Sequence, residues 1–119
     1  MKQLNTIDMF SAVSHYHTMW IYAMFDLPVK TKLQRKKASL FRKGLLQDGF
    51  TMLQFSVYIR HCASRENAAV HERRVKLMVP DEGSVSVLLV TDKQFGDMKT
   101  FYGLKNIPSP PAPVQLEFF

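Results

Sequence analysis

Cysteine is almost absent from the 119 residues, with Cys62 standing alone. An intramolecular disulfide is therefore excluded, and a reducing compartment such as the cytoplasm is the expected location. Long apolar runs are missing too: nothing approaches the roughly 18 residues of a membrane span, so no membrane partner is expected. Residues 1–19 hold Asp8 and scattered polar groups where a secretory leader would carry an apolar segment. Glycine is sparse, and Gly44, Gly49, Gly83, Gly96 and Gly103 stand singly, which rules out a glycine-rich phosphate loop. His15, His17, His61, Cys62 and His71 do not fall at four-ligand zinc spacing. No nucleophile-elbow pattern accompanies the serines and histidines, so no triad can be assigned.

What is present is an ordinary globular balance, 46% apolar and 22% charged, of a size that suits one core. Acidic groups are in the minority, 10 against 16 Lys and Arg, for a net charge of +6. The excess is concentrated. Lys30, Lys32, Arg35, Lys36, Lys37, Arg42 and Lys43 lie in a stretch without one acidic residue. Arg60, Arg65, Arg73, Arg74 and Lys76 follow, against Glu66 and Glu72. One such run is usually a solvated helix face. Two in a small domain point to a polyanionic partner, read through its backbone phosphates. The candidate nucleic-acid-binding residues are Lys32, Arg35, Lys36, Lys37, Arg42, Lys43, Arg60 and Arg65.

Along the chain, residues 1–18 show no sustained period and read as an N-terminal extension. Residues 20–25 form a short aromatic-rich apolar run that stops at Asp26 and Pro28, as a buried strand would. Thr31 is placed to cap a helix running to about Gln47, with Leu33, Leu40, Phe41 and Leu45 expected on its inner side. Asp48-Gly49 is the stop. Residues 50–62 are strand-like but long, so a connection around Gln54–Ser56 is expected to split them. Phe55 and Tyr58 offer faces on which bases could stack, although strand aromatics are usually core.

Ser64 caps a second helix whose inner face is expected to use Ala68, His71, Val75 and Met78 or Val79, closed by Pro80 and Gly83. Residues 84–91 read as a central strand. The order βαββαβ predicts an α+β domain over 19–92, an antiparallel sheet with two helices on one face. A tail over 93–119 follows, without clear period through 106. The proline-rich connector Ile107–Pro113 then leads to an alternating terminal segment, in which Val114, Leu116 and Phe118 are candidate partner-binding residues. Completing the chain's own sheet is the other use of that segment.

Met24-Phe25-Asp26-Leu27-Pro28, then a basic helix, then Gln54-Phe55-Ser56-Val57-Tyr58, resembles CRISPR-associated protein 2. Arg60-His61-Cys62-Ala63-Ser64-Arg65-Glu66-Asn67 and Thr91-Asp92-Lys93-Gln94-Phe95-Gly96 are similar to the subgroup that accompanies type II systems. The resemblance implies a ferredoxin-like βαββαβ fold, a four-stranded antiparallel sheet plus a C-terminal strand, and a homodimer. It further implies a Mg²⁺-dependent endonuclease whose metal is shared by Asp26 and its dimer mate. It makes the protein a scaffold in spacer acquisition, set between dimers of the integrase CRISPR-associated protein 1 and holding double-stranded DNA.

From spacing alone, Asp26 is a strand-end aspartate of a common kind, and one carboxylate is a poor Mg²⁺ site. Two-fold symmetry supplies the second. The alternative function is a stand-alone, toxin-like metal-dependent endoribonuclease on the same fold, with RNA as partner. An RNA-binding module fares worse, because the third strand lacks the glycine–aromatic signature of that class.

Overall fold

The computed structural model describes residues 18–105. The extension before Thr18, the proline-rich connector and the terminal segment with Val114, Leu116 and Phe118 lie outside the described residues. Among the described ones no helix is long and apolar enough to cross a membrane.

Strand β1 (Met19–Asp26) alternates strictly: Met19, Ile21, Ala23 and Phe25 are buried, while Trp20, Tyr22 and Met24 are half-buried and Asp26 is exposed. Helix α1 (Lys32–Gln47) starts at a reciprocal cap. The Gln34 N–H donates to Thr31 Oγ1, and Gln34 Oε1 accepts from the Thr31 N–H, each at 3.0 Å. It ends at Asp48, after which Gly49 turns the chain at φ 92°. Strands β2 (Thr51–Gln54) and β3 (Val57–Cys62) are split by a tight turn at Phe55-Ser56, as the length of the run predicts. Helix α2 (Arg65–Met78) is capped by Ser64, whose Oγ accepts from the Asn67 N–H. Strand β4 (Ser84–Thr91) and a one-turn helix α3 (Asp92–Gly96) complete the described chain.

The sheet order is β2-β3-β1-β4, antiparallel throughout, which is the ferredoxin-like arrangement. Phe41 and Leu45 of α1, with Ala68 and Val75 of α2, pack on the odd-numbered face of β1. Phe25 meets Phe41 edge to face, with centroids 5.0 Å apart, an arrangement adding about 1 kcal/mol beyond area burial. Among the described residues the even-numbered face carries no long helix.

Three expectations need correcting. Leu33 and Leu40 are exposed, and Ala38 joins Phe41 and Leu45 on the buried side of α1. At 3.6 residues per turn, Leu33 and Leu40 lie well round the helix from Phe41 and Leu45, so the four never shared one face. Strand β4 is an edge among the described residues, and the central position belongs to β1 with β3. The apolar composition of β4 reflects one face on the core and one on the side opposite the two long helices. Residues 92–106 also hold a helix without a visible period, because α3 is set by its Thr91–Gln94 cap and by Phe95 stacking on Trp20 at 3.8 Å.

Gly83 adopts φ 91°, and a Cβ there would stand 2.6 Å from the Asp26 carbonyl oxygen. Gly83→Ala is therefore expected to cost about 2 kcal/mol or more, seen as a lower midpoint in denaturant unfolding. An unchanged midpoint would mean that this corner of the backbone yields freely.

Candidate functional site

Asp26 closes β1 on the even-numbered face, pairing with Ser84 in the ladder. Its side chain is exposed and makes no hydrogen bond or ion pair among the described residues. The surrounding loops are braced from α1. Arg35 Nη1 donates to the carbonyls of Val29 and Lys30 at 3.1 and 3.0 Å, holding the β1–α1 loop. Lys37 Nζ meets Asp81 at 2.8 Å, and Gln34 Nε2 donates to Glu82 at 3.0 Å, tying α1 to the segment before β4. The carboxylate of Asp81 holds the Lys37 ammonium above its usual range, and that ammonium holds Asp81 below its own.

The basic candidates thus divide by what they touch. Lys32, Lys36 and Lys43, at i, i+4 and i+11, form one exposed stripe on α1 and have no partner among the described residues. Arg42 is half-buried on the flank facing β2 and is likewise unpartnered there. Arg35 and Lys37 act partly as braces. The Arg60 guanidinium donates through Nε to the Asp48 carbonyl and through Nη1 to the His61 carbonyl, each at 2.7 Å. Arg65 is exposed in the first turn of α2, near the sheet end where Met19 pairs with Cys62 and away from Asp26.

Sequence reasoning missed Asp48 as more than a helix stop. Its nearly buried carboxylate accepts from His71 Nδ1–H and Arg74 Nη1, both at 2.7 Å, and so links the end of α1 to α2. Burial pushes the Asp48 carboxyl up, but the bonds from His71 and Arg74 outweigh it and the net direction is downward. Nothing in the spacing announces partners 23 and 26 residues away. His71 is buried, as expected of a packing residue. Burial raises the Cys62 thiol above its usual range despite the nearby Arg60, which keeps it protonated and poorly nucleophilic. Of the two aromatics in the β2–β3 region, Tyr58 is core and Phe55 is 86% exposed.

A model of the family described as CRISPR associated protein Cas2 matches residues 19–98. The chain belongs to the Cas2 family. A Flavobacterium psychrophilum relative named CRISPR-associated endoribonuclease Cas2 is 50% identical over 110 residues, covering 92% of this chain and 96% of the relative. A Parvibaculum lavamentivorans protein of the same name is 54% identical over 101 residues, 85% of this chain and all of its own length. One from Ligilactobacillus salivarius is 41% identical over 87 residues, 73% and 86% of the two chains. The Cas2 match starts with β1 and ends two residues beyond α3, so Asp26, the basic helix and the Phe55 turn all lie inside it.

The Asp48 cluster has a signed pH consequence. Its folded pKa lies below the unfolded carboxylate value of about 4, so its stabilisation is complete above that value. It is lost as pH falls through the folded pKa. Asp48→Ala is expected to remove about 3 kcal/mol at neutral pH and to flatten the acid limb of stability, measured by denaturant titration between pH 2 and 6.

Proposed function

We propose that this Cas2 chain works as a homodimeric, cytoplasmic subunit of spacer acquisition. In this reading it binds double-stranded nucleic acid by its backbone and carries the integrase CRISPR-associated protein 1. A Mg²⁺-dependent phosphodiester-hydrolysing site arises where two copies bring Asp26 together. The observation that carries this reading is the position of Asp26. It ends the row Trp20, Tyr22, Met24 and Asp26 on the one sheet face without a long helix, exposed and unpartnered among the described residues. Isologous packing of that face on a second copy, with the two-fold axis passing by this strand end, brings each carboxylate towards its mate.

Fit to Mg²⁺ is conditional on that pairing. Among the described residues of one chain no three His, Cys, Asp or Glu side chains gather, so a single copy offers a hard cation one carboxylate. Two copies offer two, with water and substrate phosphate as the remaining oxygen ligands, which suits Mg²⁺. When bound, the ion would polarise the phosphodiester and acidify a water. The chain's own contribution is to hold Asp26 at a fixed strand end and to seat phosphates on the Lys32–Lys36–Lys43 stripe. Arg35, Lys37, Arg42, Arg60 and Arg65 extend or support that surface.

Val114, Leu116 and Phe118 are proposed to dock by strand addition. The outer edge of β4, unpaired among the described residues, supports this, because a groove of about 540 Å³ lined by Val75, Val79, Val85 and Val87 together with Glu72, Arg73 and Lys76 runs beside it. The name endoribonuclease borne by the relatives favours a second reading, an RNA-cleaving enzyme acting alone.

Asp26→Asn is expected to reduce metal-dependent cleavage of RNA and DNA to background while the dimer, its stability and integrase capture persist. Cleavage at the wild-type rate by the purified variant would sink the nuclease assignment. Failure of the wild type to capture the integrase, with cleavage intact, would favour the stand-alone enzyme. Replacing Lys32, Lys36 and Lys43 together with Gln is expected to lower duplex affinity. The log–log salt slope should fall by about 0.9 for each phosphate that is no longer neutralised. A slope equal to wild type would move the duplex to another surface.

A further inference from the structure

The turn between β2 and β3 carries a feature that backbone binding by α1 does not use. Phe55 is 86% exposed, Met52 61% and Val29 52%, and all three line one open pocket of about 430 Å³. Single exposed apolar residues are normal, but three around one concavity are not scattered. The floor is Tyr58, and the wall contributed by α1 consists of Arg35 and Arg42. No acidic residue lines it. The turn is held in place: Ser56 adopts φ 64°, where few non-glycine residues sit, and its carbonyl accepts from the Phe25 N–H at 3.0 Å. Phe55 is thereby fastened to β1 one residue before Asp26, at the same end of the sheet.

We infer that this pocket takes one unstacked nucleobase from a single-stranded stretch, stacked on Phe55, with the flanking phosphate on Arg42 and Arg35. Arg42 has no partner among the described residues, and Arg35 keeps free N–H groups beyond the two carbonyls it braces. The volume lies within the range of about 300–1,000 Å³ usual for small-ligand sites. An aromatic face beside cations is the chemistry that holds bases without regard to sequence. The inference rests on the nucleic-acid reading proposed above and adds a junction to it. The duplex lies on α1, and an unpaired end or flap bends into the turn towards Asp26.

The test compares binding of a blunt duplex, the same duplex with a DNA tail and the same duplex with an RNA tail, with 2-aminopurine as the first unpaired base. The wild type is expected to bind a tailed duplex more tightly than the blunt one and to quench the probe. Phe55→Ala should weaken tailed binding about tenfold, abolish the quench and leave blunt binding and thermal stability unchanged. Phe55→Trp should restore both, Phe55→Leu neither, and Arg42→Gln should weaken tailed binding. The two tails distinguish DNA from RNA as the source of the base. Equal binding of blunt and tailed duplexes by the wild type overturns the stacking site alone. So does full activity of Phe55→Leu, the result expected of an apolar protein segment in the pocket. No binding of any duplex overturns the nucleic-acid reading together with the pocket.

Discussion

Strand β1 is hydrogen-bonded on both sides, to β3 from Met19 to Met24 and to β4 from Met19 to Asp26. Its two-residue alternation is thereby imposed on the whole sheet. Odd positions set the depth at which α1 and α2 pack, and even positions define the face left without long helices. Sliding β1 by one residue would turn Trp20 and Tyr22 into the core and carry Asp26 to the helix side. Such a slip is opposed by the burial of Met19, Ile21, Ala23 and Phe25, in which each of the larger side chains contributes roughly 1.5–3 kcal/mol. The exposure of one carboxylate is thus a consequence of apolar packing along a strand of 8 residues.

Charge works differently here from what its amount implies. The chain carries many cations, yet the fold gives several of them internal tasks. Arg60 holds the Asp48 carbonyl, Arg74 the Asp48 carboxylate, Arg35 the β1–α1 loop and Lys37 the segment before β4. Lys37–Asp81 lies at the surface, where an ion pair contributes little and mainly orients a loop. The Asp48 carboxylate is nearly buried, so leaving it unpaired would be costly. The Lys32–Lys36–Lys43 stripe has no such task among the described residues, which leaves its charge available to phosphate.

Much of the candidate surface was legible because it rests on local chemistry. The caps at Thr31 and Ser64, the stop at Asp48-Gly49 and the break at residues 55–56 each depend on side chains within a few residues. So does the position of Asp26 at a strand end. The placement of Leu33 and Leu40 was less legible, since α1 meets the sheet along a narrow stripe led by Ala38, Phe41 and Leu45. A basic helix with leucines on two sides leaves the choice of inner side to the packing partner.

The residue pattern by itself determined the element order, the antiparallel α+β class, the basic character of α1 and an aspartate at the end of β1. These follow from alternation, helical period and cap chemistry, all short-range properties. Tertiary structure alone decided that β4 is an edge strand among the described residues, that Phe95 of α3 stacks on Trp20, and that Asp48 joins His71 and Arg74. It also separated Phe55 from Tyr58, sending one outwards and the other into the core. The reason is the same in each case. Which side chains meet across tens of residues depends on how β1 is paired on both edges, and no local preference encodes that pairing.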